Sequence, residues 1–71
     1  MPNNKQKIAA LEVENWNLKH PVGALVKLKL DNGLTKITKT RSEAYICNAG
    51  YPVCFFDDVS GSYLLERAEA L

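Results

Sequence analysis

The chain has 71 residues, of which 46% are hydrophobic and 24% charged, and a formal net charge of +1. A domain of this size buries only about 60% of the surface its unfolded chain exposes, so there is room for one core and no more. The composition is also too apolar for a disordered protein. The longest uncharged stretch, residues 44–56, is broken by Asn48, Gly50 and Pro52 and falls short of the roughly 20 apolar residues a bilayer span requires. Residues 1–7 are not followed by the apolar region and cleavage site of a signal peptide, which sets the expectation of a cytoplasmic protein with no membrane contact.

Residues 1–20 read as an N-terminal helical or extended segment. Asn4 is a candidate N-cap, followed by the helix formers Lys5 to Leu11, which predicts a helix over about 4–15. Beyond it the spacing of Leu11 to Val13 and of Trp16 to Leu18 is two, as a strand would use, and on a helical wheel the apolar residues spread most of the way round. Pro21 stops any helix and biases His20 toward an extended backbone.

Residues 21–71 read as strands. Residues 24–30 alternate, with Val26, Leu28 and Leu30 on one face and Lys27 and Lys29 on the other. Asn32-Gly33 is a strong hairpin signal, since both residues tolerate a positive φ. The return strand, residues 34–40, carries Thr and Lys with Ile37 as its inward candidate. A second hairpin, residues 44–47 and 51–56 around the turn Asn48-Ala49-Gly50, holds the densest apolar cluster and is the expected core. Asp57 to Ser62 is turn chemistry, and a last strand covers residues 63–67. Five short strands in about 45 residues are too few for a two-sheet sandwich. The expected fold is therefore mainly β: a small five-stranded SH3-like barrel behind an N-terminal helix, with an α+β arrangement as the alternative.

The segments His20-Pro21-Val22-Gly23, Thr38 to Ala44 and Gly61 to Arg67 resemble those of small uncharacterised proteins encoded by bacteriophages and prophages, over about residues 20–68. The resemblance implies a compact β domain carried as an accessory gene of a mobile element, and it transfers no active site.

Catalytic signatures are sparse. The sequence has no Gly-rich phosphate loop and no paired metal-ligand spacing, and its single histidine, His20, pairs with Ser42 or Ser60 only on paper. No cofactor, metal or catalytic residue is expected, leaving a non-enzymatic protein, or at most an active site formed between copies. Asp57, Asp58 and Ser60 read as a solvated turn, because calcium wants six or more oxygen ligands. Cys47 and Cys54 are expected as reduced, core-facing thiols, although facing positions across a hairpin would allow a disulfide.

Two surfaces remain. Trp16, Tyr45, Tyr51, Phe55, Phe56 and Tyr63 are the candidate protein-binding aromatics. Trp16 reads first as a clamp holding the N-terminal segment on the barrel. Alternation puts Phe55 and Phe56 on opposite faces, so one of them is exposed or covered, by the N-terminal helix or by a partner. The second surface follows from uneven charge: residues 19–41 carry a net +5 and residues 42–71 a net −4. Lys27, Lys29, Lys36, Lys39 and Arg41 read as a solvated face, a phosphate-contacting patch for nucleic acid, or a match for an acidic surface on a partner or second copy. The expected role is an accessory or regulatory interaction module acting by binding a protein partner or a second copy of itself, with nucleic-acid binding through the basic hairpin as the alternative.

Overall fold

The computed structural model describes residues 4–71. A helix, α1 (Asn4–Lys19), precedes six strands: β1 (Leu25–Lys29), β2 (Thr35–Lys39), β3 (Tyr45–Ile46), β4 (Pro52–Phe55), β5 (Ser62–Leu64) and β6 (Ala68–Ala70). A one-turn 3-10 helix, Leu65–Arg67, separates the last two strands. The strands form two antiparallel three-stranded sheets, ordered β2-β1-β6 and β3-β4-β5. The fold is thus α+β and mostly strand, but the expected ring of five strands is replaced by two sheets that do not close.

The sheets join where β2 runs out. Thr40 bridges Phe56, the Arg41 N–H donates to the Phe55 carbonyl at 2.8 Å, and the Asp57 N–H donates to the Lys39 carbonyl at 2.9 Å. Past this bridge the chain bends over residues 42–44 and rejoins β4 as β3, with Tyr45 opposite Val53 and Ile46 opposite Pro52. β2 and β3 therefore run one after the other along β4, crossing from one sheet to the other.

Helix α1 reaches four residues beyond its expected end, through the region where the spacing of two suggested a strand. A stripe at helical spacing, Ala9, Val13 and Trp16, faces the sheets: Ala9 and Trp16 are buried and Val13 packs against the core. Tertiary burial overrides the local strand pattern here. The side chain of the expected cap, Asn4, lies outside what is described. The helix ends at Lys19, and the His20 N–H still donates to the Trp16 carbonyl at 2.7 Å before Pro21.

The first hairpin keeps the expected strands but not the expected turn or inner face. The Gly33 N–H donates to the Leu30 carbonyl at 3.0 Å, and Gly33 alone of the Asn-Gly pair takes a positive φ, +85°. The loop is thus a type I turn with a glycine bulge, the longer of the common hairpin forms. This register sets Ile37 opposite Lys27 on the outer face, where it is 56% exposed, and turns Thr38 and Thr40 inward. Both buried hydroxyls have acceptors: Thr38 Oγ1 donates to the Asp57 carbonyl at 2.8 Å and Thr40 Oγ1 to that of Pro21 at 3.2 Å. Two hydrogen-bonding threonines thus take the inward places expected of the isoleucine.

The core gathers Trp16, Val26, Leu28, Ala44, Cys54, Phe56, Leu65 and Ala68. Within the second hairpin Ala44, Val53, Cys54 and Phe56 are buried as expected, while Tyr45 and Ile46 on β3 are exposed. The predicted last strand is broken by the 3-10 turn, which seats Leu65 in the core and frees residues 68–70 to pair with β1.

Candidate functional site

Strand β4 sorts the aromatic candidates. Phe56, fully buried, meets the Trp16 ring edge-on at a centroid distance of 6.5 Å. Trp16 also stacks on His20 at 3.9 Å, and the His20 Nδ1 donates to the Trp16 carbonyl at 3.1 Å. Trp16 is therefore the clamp between helix and sheets. Its Nε1 and the Nε2 of His20 are buried without a hydrogen-bond partner among the described residues. Tyr63 is half-buried against the same core, and Tyr51, 52% exposed, stands apart at the start of β4.

Phe55 points the other way and is half-buried. Tyr45, one strand over, stacks on it with centroids 5.8 Å apart, and the Arg41 guanidinium lies 5.3 Å over its ring. Tyr45 is itself 37% exposed. The bend between β2 and β3 builds this group, because it carries Arg41 and Tyr45 to successive places along β4. A cation over an aromatic face and a stack of two rings are each worth about 0.5–1.5 kcal/mol, enough to hold the rings in place while leaving an amphipathic surface open.

The five cations do not form one patch. Lys27, Lys29 and Lys39 lie on the exposed outer face of β2-β1-β6, whereas Lys36 alternates to the other side, where its Nζ donates to the Asp58 carbonyl at 3.2 Å, and Arg41 belongs to Phe55. Strand β6 places Glu69 directly opposite Lys27, and Glu66, Arg67 and Glu69 line one shallow cleft with Lys27 and Lys29. The surface is therefore mixed in sign, which weakens any attraction for phosphate. Arg67 forms the one ion pair among the described residues, Nη1 to Asp31 Oδ1 at 3.1 Å.

Asp57 and Asp58 sit in the turn after β4, Asp58 at φ +59°, with their carbonyls taken by Thr38 and Lys36. Ser42, one of the two paper partners of His20, instead accepts the Phe55 N–H at 3.3 Å and donates to the Glu43 carbonyl at 3.0 Å.

The two cysteines are not opposed across the hairpin. The three-residue turn sets Cys47 opposite Tyr51, with the Cys47 N–H donating to the Tyr51 carbonyl at 3.0 Å, and both thiols are free. Only Cys54 is core-facing. Burial pushes its thiol above the ordinary value, while backbone N–H groups of Tyr51 and Ala49 in the turn draw that of Cys47 below it. Since the thiolate is the reacting form, a disulfide reagent at neutral pH should label Cys47 quickly and Cys54 only on unfolding. Equal rates in the native protein would contradict this placement.

One residue absent from the sequence reading organises the joint between helix and sheet. The Asn17 Oδ1 accepts the Ala44 N–H at 2.8 Å and its Nδ2 donates to the Ala44 carbonyl at 3.2 Å. A side-chain amide here makes the two bonds that a neighbouring strand would make. Nothing in the sequence marks Asn17, because its partner lies 27 residues away.

Comparison of the chain with protein-family models, with curated proteins and with solved structures returns no match.

Proposed function

We propose that the protein is a non-enzymatic interaction module that binds a partner polypeptide on the face formed by Arg41, Tyr45 and Phe55. The observation that carries this reading is the half-open Tyr45–Phe55 stack with Arg41 over it. Tyr, Phe and Arg are enriched at protein interfaces because each offers a large contact area with few torsions to freeze or a planar set of donors. The fold reads as an open variant of an SH3-like barrel. If β2 and β3 are counted as one bent strand, five strands remain, with a 3-10 turn before the last and that last strand returning to the first. Such scaffolds serve many functions, so the reading rests on the surface rather than on the fold.

The likeness of residues 20–68 to small phage and prophage proteins supports an accessory or regulatory role on a mobile element, inside the host cytoplasm. No helix among the described residues is long and apolar enough to cross a membrane. Nucleic-acid binding through the first hairpin ranks second, because Glu69 faces Lys27 on the same strand pair.

Affinity capture from a phage-bearing host, with Phe55→Ala and Arg41→Ala as controls, tests the reading. A captured protein lost at least about tenfold with either variant is the expected result. Capture unchanged by both variants, or retention of nucleic acid alone in a salt-sensitive manner, would replace it with another surface.

A further inference from the structure

The outer face of α1 carries a pattern that the inner face obscures. Ile8, Leu11 and Leu18 are 54%, 58% and 78% exposed, and Asn15 is exposed beside them. Their spacing of three, four and three is the a/d spacing of a coiled coil: Ile8 at a, Leu11 at d, Asn15 at a and Leu18 at d. At 100° per residue this stripe lies on the side of the helix opposite Ala9, Val13 and Trp16, which hold α1 to the sheets.

We propose that this face binds the same face of a second copy, forming a parallel, in-register helix pair. Charge complementarity identifies the occupant. The flanking g and e positions are Lys7 and Glu14, and Glu12 and Lys19, all exposed. In a parallel pair each g position meets the e position five residues on in its partner, setting Lys7 against Glu12 and Glu14 against Lys19, twice over by symmetry. Both combinations are attractive.

The orientation follows from Asn15. In a parallel pair it meets its own copy and the two amides bond each other, whereas an antiparallel pair would set it against Leu11 with no partner. β-branched Ile at a with Leu at d favours two strands over three. The 16-residue helix is about 24 Å long and its seam, from Ile8 to Leu18, about 15 Å, too short to associate as a free peptide. Here the sheets already hold the helix folded, so pairing does not have to supply the cost of ordering it. Ile8, Leu11 and Leu18 are open to solvent, while Glu12, Asn15 and Lys19 border an open cleft shared with Leu65 and Glu66 along one flank of the seam.

Sedimentation equilibrium of the intact chain, from micromolar to near-millimolar concentration, tests the proposal. The expected result is a reversible monomer–dimer equilibrium that Leu11→Glu or Leu18→Glu weakens at least about tenfold while the circular dichroism stays native, because both positions are exposed. Two charge variants sharpen it. Glu12→Lys with Glu14→Lys gives a seam flanked only by cations, and Lys7→Glu with Lys19→Glu one flanked only by anions; each should be monomeric alone and dimeric when mixed. In a Cys47→Ser background, Asn15→Cys should form an intermolecular disulfide on oxidation. A monomer at every concentration, or a dimer unaffected by Leu11→Glu and Leu18→Glu, would overturn the interface, and failure of Asn15→Cys to cross-link would overturn the parallel register. Phe55→Ala should leave the dimer unchanged, which separates this interface from the Arg41–Tyr45–Phe55 face.

Discussion

Phe56→Ala should cost about 3–5 kcal/mol, the usual range for emptying a buried aromatic site, while Phe55→Ala next to it should cost under about 1.5 kcal/mol. The difference follows from the pleat of one strand end. Phe56 is fully buried, touches the Trp16 ring and sits at the bridge that joins the two sheets. Phe55 is half-buried, and its ring contacts are with Tyr45 and Arg41. A chain of 71 residues is expected to have about 4–10 kcal/mol of stability in all, so the first variant should be largely unfolded under mild denaturant and the second should not. Urea titration followed by circular dichroism measures both. If Phe55→Ala proved the more damaging, the assignment of faces on β4 would be wrong.

Asn17→Ala should cost about 2–3 kcal/mol, far more than an ordinary helix surface substitution. It removes two hydrogen bonds and leaves both the N–H and the carbonyl of Ala44, a buried residue, without their partners. Asn17→Asp tests the geometry further: it keeps an acceptor for the Ala44 N–H but sets a second acceptor against the Ala44 carbonyl, so it should recover only part of the loss. Hydrogen exchange at the Ala44 amide gives a local readout and should quicken in both variants. A change under about 0.5 kcal/mol with Ala44 exchange unaltered would mean that packing alone holds α1 to the sheets.

Those two residues show how legible the fold was. That Phe55 and Phe56 face opposite ways follows from strand alternation, and so do the burial of Val26 and Leu28 and the exposure of Lys27 and Lys29. Hydrophobicity without register points Ile37 inward: the three-residue loop, Asp31 to Gly33, decides which face the return strand shows, and two threonines with acceptors in reach are content inside. Asn17 was invisible, since its partner is distant in sequence and amides at helix positions are common.

The helix outruns its expected end for a different reason. Its apolar residues form two stripes on opposite sides, and opposite stripes cancel in any measure of one-sided hydrophobicity. Counting each stripe separately finds both: residues 9, 13 and 16 toward the sheets, and 8, 11 and 18 away from them. Of the candidate site, the aromatic identities were readable, but the grouping of Arg41, Tyr45 and Phe55 was not, because it depends on the bend between β2 and β3. The same bend disperses the cations that composition alone had gathered.

The pairing of β6 with β1 has a consequence for how the chain reaches this fold. Val26 meets Ala70, and Leu28 meets Ala68, so one sheet is completed only by joining residues 40 to 44 positions apart. Both hairpins close over a few residues and are available in microseconds, whereas the β1–β6 contact must close nearly the whole loop first. During synthesis the β1–β2 hairpin emerges with one of its sides unpaired and stays so until the last strand arrives. The slow step of folding, and the interval when β1 is open to a wrong neighbour, should therefore both be set by the docking of residues 68–70.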